Sequence, residues 1–113
     1  MIINKSFPAD LDKRTIYSLT MSPRTMKMKD AKGQTLDVKA WALYTDLDQD
    51  GNDRQVLAVL TPEGETYATN SPTFQDDFFR MVELFGADGV DAIEVISGIS
   101  KAGREFITCA YGG

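Results

Sequence analysis

A chain of 113 residues, 42% apolar and 26% charged, has room for one hydrophobic core and the composition of a globular domain rather than of a disordered tail. It has no run near the ~18 apolar residues of a membrane helix, no histidine and one cysteine, which excludes a membrane span, an internal disulfide framework and most metal and histidine-based catalytic schemes. The net charge of −5 is divided, with +4 on residues 1–39 and −9 on residues 40–113, so a basic segment precedes an acidic body.

The first residues, Met1-Ile-Ile-Asn-Lys5, lack the apolar stretch and cleavage site of a signal peptide. With the lone Cys109 this gives the expectation of a soluble, cytoplasmic, single-domain protein. Residues 1–34 read as a partly basic N-terminal arm. Ile2, Ile3 and Phe7 suit a short strand interrupted by Pro8, Leu11 to Leu19 suits either a short helix or an extended piece, and Ser22-Pro23 signals a turn. A basic stretch from Arg24 then ends at Gly33, and Met21, Met26 and Met28 read as gap-filling core residues.

From Thr35 the apolar period becomes two. Leu36, Val38, Ala40, Ala42 and Tyr44 fall on one face, and Lys39, Trp41 and Leu43 on the other, as a long first strand requires. Asp46 to Asp53 is an acidic turn cluster, and Arg54 to Thr61 a second strand forming a hairpin with the first. Thr61-Pro-Glu-Gly64 suits a type I turn before a short third strand at Glu65 to Thr69.

Ser71 (N-cap), Pro72 (first helical position) and Gly86 (C′) bracket a helix with Phe74, Phe78, Met81, Val82 and Phe85 along one stripe; Gln75, Asp76, Arg80 and Glu83 fall mostly opposite. Ala92 to Ile99 and Glu105 to Tyr111 form a last hairpin around Ser100-Lys-Ala-Gly-Arg104. The order β-β-β-α-β-β over residues 35–113, with a long first strand, matches the OB-fold, a five-stranded Greek-key barrel whose open end the helix would plug. An α+β roll has the same element order.

Few residues suggest catalysis. Cys109 lies in an apolar strand and reads as a small core residue, Asp76 and Asp77 diverge on a helix, and no phosphate-binding loop or dinucleotide fingerprint is present. Asp46-x-Asp48-x-Asp50-Gly51 imitates a calcium loop, but its twelfth position is Leu57 rather than glutamate and its flanks read as strands, so it is an acidic hairpin tip. We therefore expect no enzyme, no cofactor and no metal.

Binding of single strands without sequence preference needs cations along the backbone path and aromatic faces for the bases. Lys39 and Trp41 on one strand face, Lys101 and Arg104 on the last hairpin loop, and Tyr67 and Phe106 on the third and fifth strands supply both types; Tyr17, Arg24, Lys27 and Lys29 extend the path if the arm folds over the barrel. Alternation does not decide which face of the first strand is inward, so Trp41 is either a stacking site or a core residue, and Tyr67 and Phe106 carry the same ambiguity. The acidic loop between the first two strands would repel phosphate.

Leu19-Thr-Met-Ser-Pro23, Lys27-Met-Lys-Asp-Ala-Lys-Gly-Gln34, Tyr67-Ala-Thr-Asn-Ser-Pro-Thr-Phe74 with Phe78-Phe79, and Ser100-Lys-Ala-Gly-Arg-Glu-Phe-Ile-Thr108 together resemble small single-stranded-DNA-binding proteins of bacterial viruses. The nearest group is that of tailed phages with protein-primed replication and related mobile elements of low-GC Gram-positive hosts. The resemblance implies a protein that coats the displaced strand during DNA replication, with single-stranded DNA as its partner and replication proteins such as a DNA polymerase nearby, and with no enzymatic activity and no cofactor. The lack of a long apolar run adds the expectation of no membrane partner.

Overall fold

The structure is a computed structural model that describes residues 1–113. It contains eight strands and two α-helices. In chain order these are β1 (Ile2–Phe7), α1 (Lys13–Thr20), β2 (Met26–Lys27), a 3-10 turn (Met28–Ala31), β3 (Thr35–Asp37), β4 (Ala40–Leu47), β5 (Asp53–Leu60), β6 (Thr66–Thr69), α2 (Pro72–Phe85), β7 (Ala92–Ile99) and β8 (Glu105–Tyr111).

The strands form two sheets, one of five in the order β1-β4-β5-β6-β2 and one of three in the order β3-β7-β8. The expected long first strand is broken. Thr35–Asp37 pairs antiparallel with β7, while Ala40–Leu47 lies between β1 and β5 in the other sheet. The chain thus crosses from sheet to sheet at Val38-Lys39, held there by Val38 N–H to Asp91 O and Lys39 N–H to Leu60 O, both 2.8 Å. The sheets do not close into a barrel. Where closure would join β6 to β8, β6 pairs instead with the two residues of β2, in parallel, and β8 is left as a sheet edge.

Residues 1–34 are built into the domain rather than draped over it. β1 adds an edge strand to β4, Met28 and Ala31 are fully buried, and Leu19 of α1 packs on the five-stranded sheet. Consequently both faces of that sheet are covered. Trp41, Leu43, Leu57, Val59 and Tyr67 face α2 and the second sheet, while Ala40, Ala42 and Ala58 form a small-residue floor beneath α1. Period-two alternation cannot identify an inner face when each is covered by a helix.

Helix α2 has the ends its sequence specifies. Ser71 Oγ accepts from Phe74 N–H at 3.3 Å, Pro72 opens the first turn, and Gly86 ends the helix at φ +89°, a backbone angle that only glycine takes without strain. Phe74 and Phe78 are fully buried, with Phe78 edge-to-face against Trp41 at 5.4 Å between ring centroids. Two details depart from the expected stripe. Phe85 is half exposed against Tyr111, and Gln75 is buried, its amide donating to the Gln55 and Thr69 carbonyls at 3.0 and 3.1 Å. A polar side chain is stable there because it satisfies strand-end carbonyls that would otherwise lack donors. No helix is long and apolar enough to cross a membrane.

Candidate nucleic-acid interface

The unclosed seam is a groove of about 1070 Å³. One wall is the chain from Thr25 to Lys32, including β2 and the 3-10 turn; the other is the start of β8, Glu105 to Ile107. Tyr44 and Val56, cross-strand partners on β4 and β5, lie at its floor with Ala68, and Thr69 to Ser71 close the end nearest α2.

Four cations line this groove: Lys27, Lys29, Lys32 and Arg54. Two carboxylates accompany them. Glu105 holds Lys32, with Nζ 3.2 Å from the nearer carboxylate oxygen, and this is the only ion pair within 4 Å in the molecule. Asp30 is exposed on the 3-10 turn. Arg54 also faces Asp46 across the β4–β5 pair without forming a close ion pair. Lys27, Lys29 and Arg54 are therefore free to meet an anion.

Phe106 supplies an aromatic face. It is 41% exposed, and its ring lies over Gly98, its cross-strand partner on β7. A Cβ at Gly98 would come within 2.6 Å of the ring, so glycine is what lets the phenylalanine lie flat on the hairpin. The adjoining turn is closed by Ser100 N–H to Arg104 O at 2.8 Å and Arg104 N–H to Ser100 Oγ at 3.2 Å, which leaves Lys101 and Arg104 exposed beside Phe106.

Of the residues expected to contact a strand, Lys27, Lys29 and Phe106 line the groove, and Arg24, Lys101 and Arg104 are exposed at chain positions adjoining its walls. The others fall elsewhere. Trp41 is only 2% exposed, enclosed by Phe78 and Phe79, with Nε1–H donating to Ala87 O at 3.1 Å, so it has no face to offer a base. Tyr67 is buried in the same cluster, since its parity on β6 puts it beside Val59 on the α2 side. Lys39 is exposed at the sheet crossover, close enough to Asp12 to help hold that carboxyl below its usual range, although the hydrogen bond from Thr15 is the main cause. Tyr17 is exposed on the outer side of α1. Neither Lys39 nor Tyr17 lines the groove.

Sequence reasoning missed Lys32 and Arg54. Arg54 shares a strand face with the buried Val56 and Ala58, and because the opposite face of β5 is buried too, alternation alone gave it no groove position. Lys32 reaches the groove only through the 3-10 turn, which has no apolar period to announce it.

The remaining reactive groups are occupied structurally. Cys109 is buried, and burial together with the nearby Asp77 carboxylate pushes its thiol up to about 12. Asp48 Oδ1 accepts from the N–H groups of Asp50 and Asn52, so the calcium-like segment is a self-capped hairpin turn. No group of three histidine, cysteine, aspartate or glutamate side chains is placed to hold a metal ion. No protein-family model matches the chain significantly, and neither does any curated protein or solved structure.

Proposed function

We propose that this protein binds single-stranded DNA with little sequence preference, through the open seam, and coats the displaced strand during replication of a phage or mobile element. The observation that carries the reading is the combination of three unpaired cations, Lys27, Lys29 and Arg54, around an apolar floor that ends at the half-exposed ring of Phe106. That is the pairing of phosphate contacts with a stacking platform on which sequence-tolerant strand binding depends. The groove is open to solvent rather than a closed cavity with convergent polar groups, which suits a polymer better than a small molecule.

The fold reading that accompanies this function is an opened relative of the OB-fold. It is supported by the order of the elements from Thr35 to Tyr111 and by the division of the first strand between two sheets. The last hairpin then occupies the position from which the corresponding OB-fold loop closes over its ligand. The phage assignment rests on the short blocks of sequence resemblance alone.

Anisotropy of a labelled oligo-dT, titrated with protein at low and moderate salt, tests the reading. Saturable binding that weakens with salt is expected. Phe106→Ala should weaken it by about 1–3 kcal/mol if one base stacks there, and Lys27→Glu with Lys29→Glu should abolish it. Tryptophan emission should hardly change, because Trp41 lies in the core. Absence of binding at low salt, or binding indifferent to all three substitutions, removes the proposal. A protein-binding module using the acidic side of α2 is the competing reading, favoured by the exposed Asp76, Glu83 and Leu84.

A further inference from the structure

Two exposed patches with apolar centres lie on opposite sides of the molecule, in surroundings of opposite charge. The first is at the C-terminal end of α2. Leu84 is 74% exposed there, and Phe85 and Tyr111, with ring centroids 5.4 Å apart, are each more than two-fifths exposed. Glu83, Asp88 and Asp91 stand exposed around them, and Asp91 accepts a hydrogen bond from the Tyr111 hydroxyl at 2.8 Å. Arg80, one turn before Leu84, is the only cation on that helix.

The second patch is the outer side of α1. Tyr17 and Met21 are four residues apart, share one side of the helix, and are 51% and 61% exposed. Lys13 and Arg14 precede them by one turn and Arg24 follows. Three acids flank this side: Asp10 is exposed near Ile16, Asp12 caps the helix through Thr15 N–H and lies near Arg14, and Glu65 belongs to the β5–β6 connection, where Thr66 Oγ1 donates to Ser18 O; Lys13 and Arg24 leave the rim basic.

We propose that these two patches bind one another between copies of this chain, joining protomers head to tail. The occupant follows from charge complementarity. A copy offers basic groups around an exposed aromatic and a methionine, and another offers acidic groups around a leucine and two aromatic rings. Within one chain the patches cannot meet, because α1 and α2 pack on opposite faces of the five-stranded sheet. A twofold contact of either patch with itself would bring like charges together. The contact is therefore heterologous, and each protomer added leaves one patch of each kind open for the next. None of the groove residues takes part, so the inference stands or falls independently of nucleic-acid binding.

Sedimentation of the full chain without nucleic acid, across a wide range of protein concentration and at two salt concentrations, is the test. Weight-average mass should rise continuously with concentration, pass the dimer without a plateau, and fall as salt screens the rims. Leu84→Lys and Tyr17→Glu should each weaken association by at least about tenfold, as loss of a central contact residue does. Because all the substituted side chains are exposed, circular dichroism should be unchanged. Two charge-reversed variants, Lys13→Glu/Arg14→Glu and Glu83→Lys/Asp88→Lys, should each be monomeric alone and regain association when mixed, which an unfolded variant could not do. A monomer at every concentration, a mass that stops at the dimer, or association indifferent to these substitutions overturns the proposal.

Discussion

Glu105→Gln is the substitution that most directly separates the groove reading from an incidental cluster of lysines. In the native protein Lys32 Nζ lies 3.2 and 3.4 Å from the two carboxylate oxygens of Glu105, with both side chains about half exposed. An ion pair so open to water contributes about 0–1 kcal/mol to stability, so its removal should leave the unfolding midpoint almost unmoved. Its effect on binding should be larger. With Lys32 occupied, three cations (Lys27, Lys29 and Arg54) are free to neutralise phosphates, and a slope near −0.7 per contact gives about −2.1 for log affinity against log salt. Releasing Lys32 takes the slope to about −2.8. Raising salt fourfold should then weaken binding about 20-fold in the native protein and about 50-fold in the variant, with the variant the tighter binder at low salt. Anisotropy titrations of labelled oligo-dT at several salt concentrations measure both quantities. A slope and affinity that do not change in Glu105→Gln would show that Lys32 is not on the path of the strand. A loss of stability well above 1 kcal/mol would show instead that the pair is structural.

Other expectations concern the scaffold. Phe78→Ala should cost about 3–5 kcal/mol in urea denaturation, because it removes a fully buried ring that packs on both Trp41 and Phe79; a loss below about 1 kcal/mol would mean that the aromatic cluster is not the core it is taken to be. Gln75→Ala should cost about 1–3 kcal/mol by stranding the Gln55 and Thr69 carbonyls, although a stripe-based reading would put this residue on the surface and predict almost nothing. The thiol of Cys109 should make stability fall in alkali. Its folded value near 12 lies above the ordinary value of 9.0, so the folded state holds the proton more tightly; the contribution is intact below pH 9 and is lost as pH rises toward 12. Melting temperature should decline across that window less steeply in Cys109→Ala than in the native protein, and parallel declines would refute the assignment.

What could be read from the sequence was whatever local chemistry decides. Helix α2 is marked at both ends by Ser71-Pro72 and Gly86, and the last hairpin by two β-rich runs around Ser100 to Arg104; both were expected at the residues where they occur. The break at Val38-Lys39 was invisible because Leu36, Val38, Ala40 and Ala42 keep one unbroken alternation while the hydrogen-bond partner changes from β7 to β5. Trp41 was undecidable for a different reason. Its strand is buried on both faces, by α2 on one side and α1 on the other, so no polar face was present to orient it. Most of the groove was hidden too, because it is the product of a pairing that does not form. Among its lining residues only Lys27, Lys29 and Phe106 carry a binding signal in the sequence, as a cation or a ring, and nothing in their spacing locates the seam.

The position of the N-terminal residues links the two proposals. Residues 1–34 place α1 on the Ala40, Ala42 and Ala58 face of the five-stranded sheet, and so cover much of a surface that a strand crossing β5 and β6 would otherwise follow. What stays open is a short stretch at Arg54 and Ala68, above the nearly buried Tyr44 and Val56. Three or four phosphate contacts and one exposed ring can hold only a few nucleotides, so a single protomer would bind weakly and lose much of that affinity at moderate salt. Under the two proposals, coating a strand would then depend on neighbours: each bound copy would raise the effective concentration of the next patch, and contacts between protomers would add to affinity without any new contact to the strand. The same segment that narrows the groove carries Tyr17, Met21, Lys13 and Arg14 on its outer side. If both proposals hold, Tyr17→Glu should leave affinity for an oligonucleotide one groove long unchanged and weaken binding to a long strand. Equal losses on short and long strands would place Tyr17 in the groove path instead, and would break the link between the two.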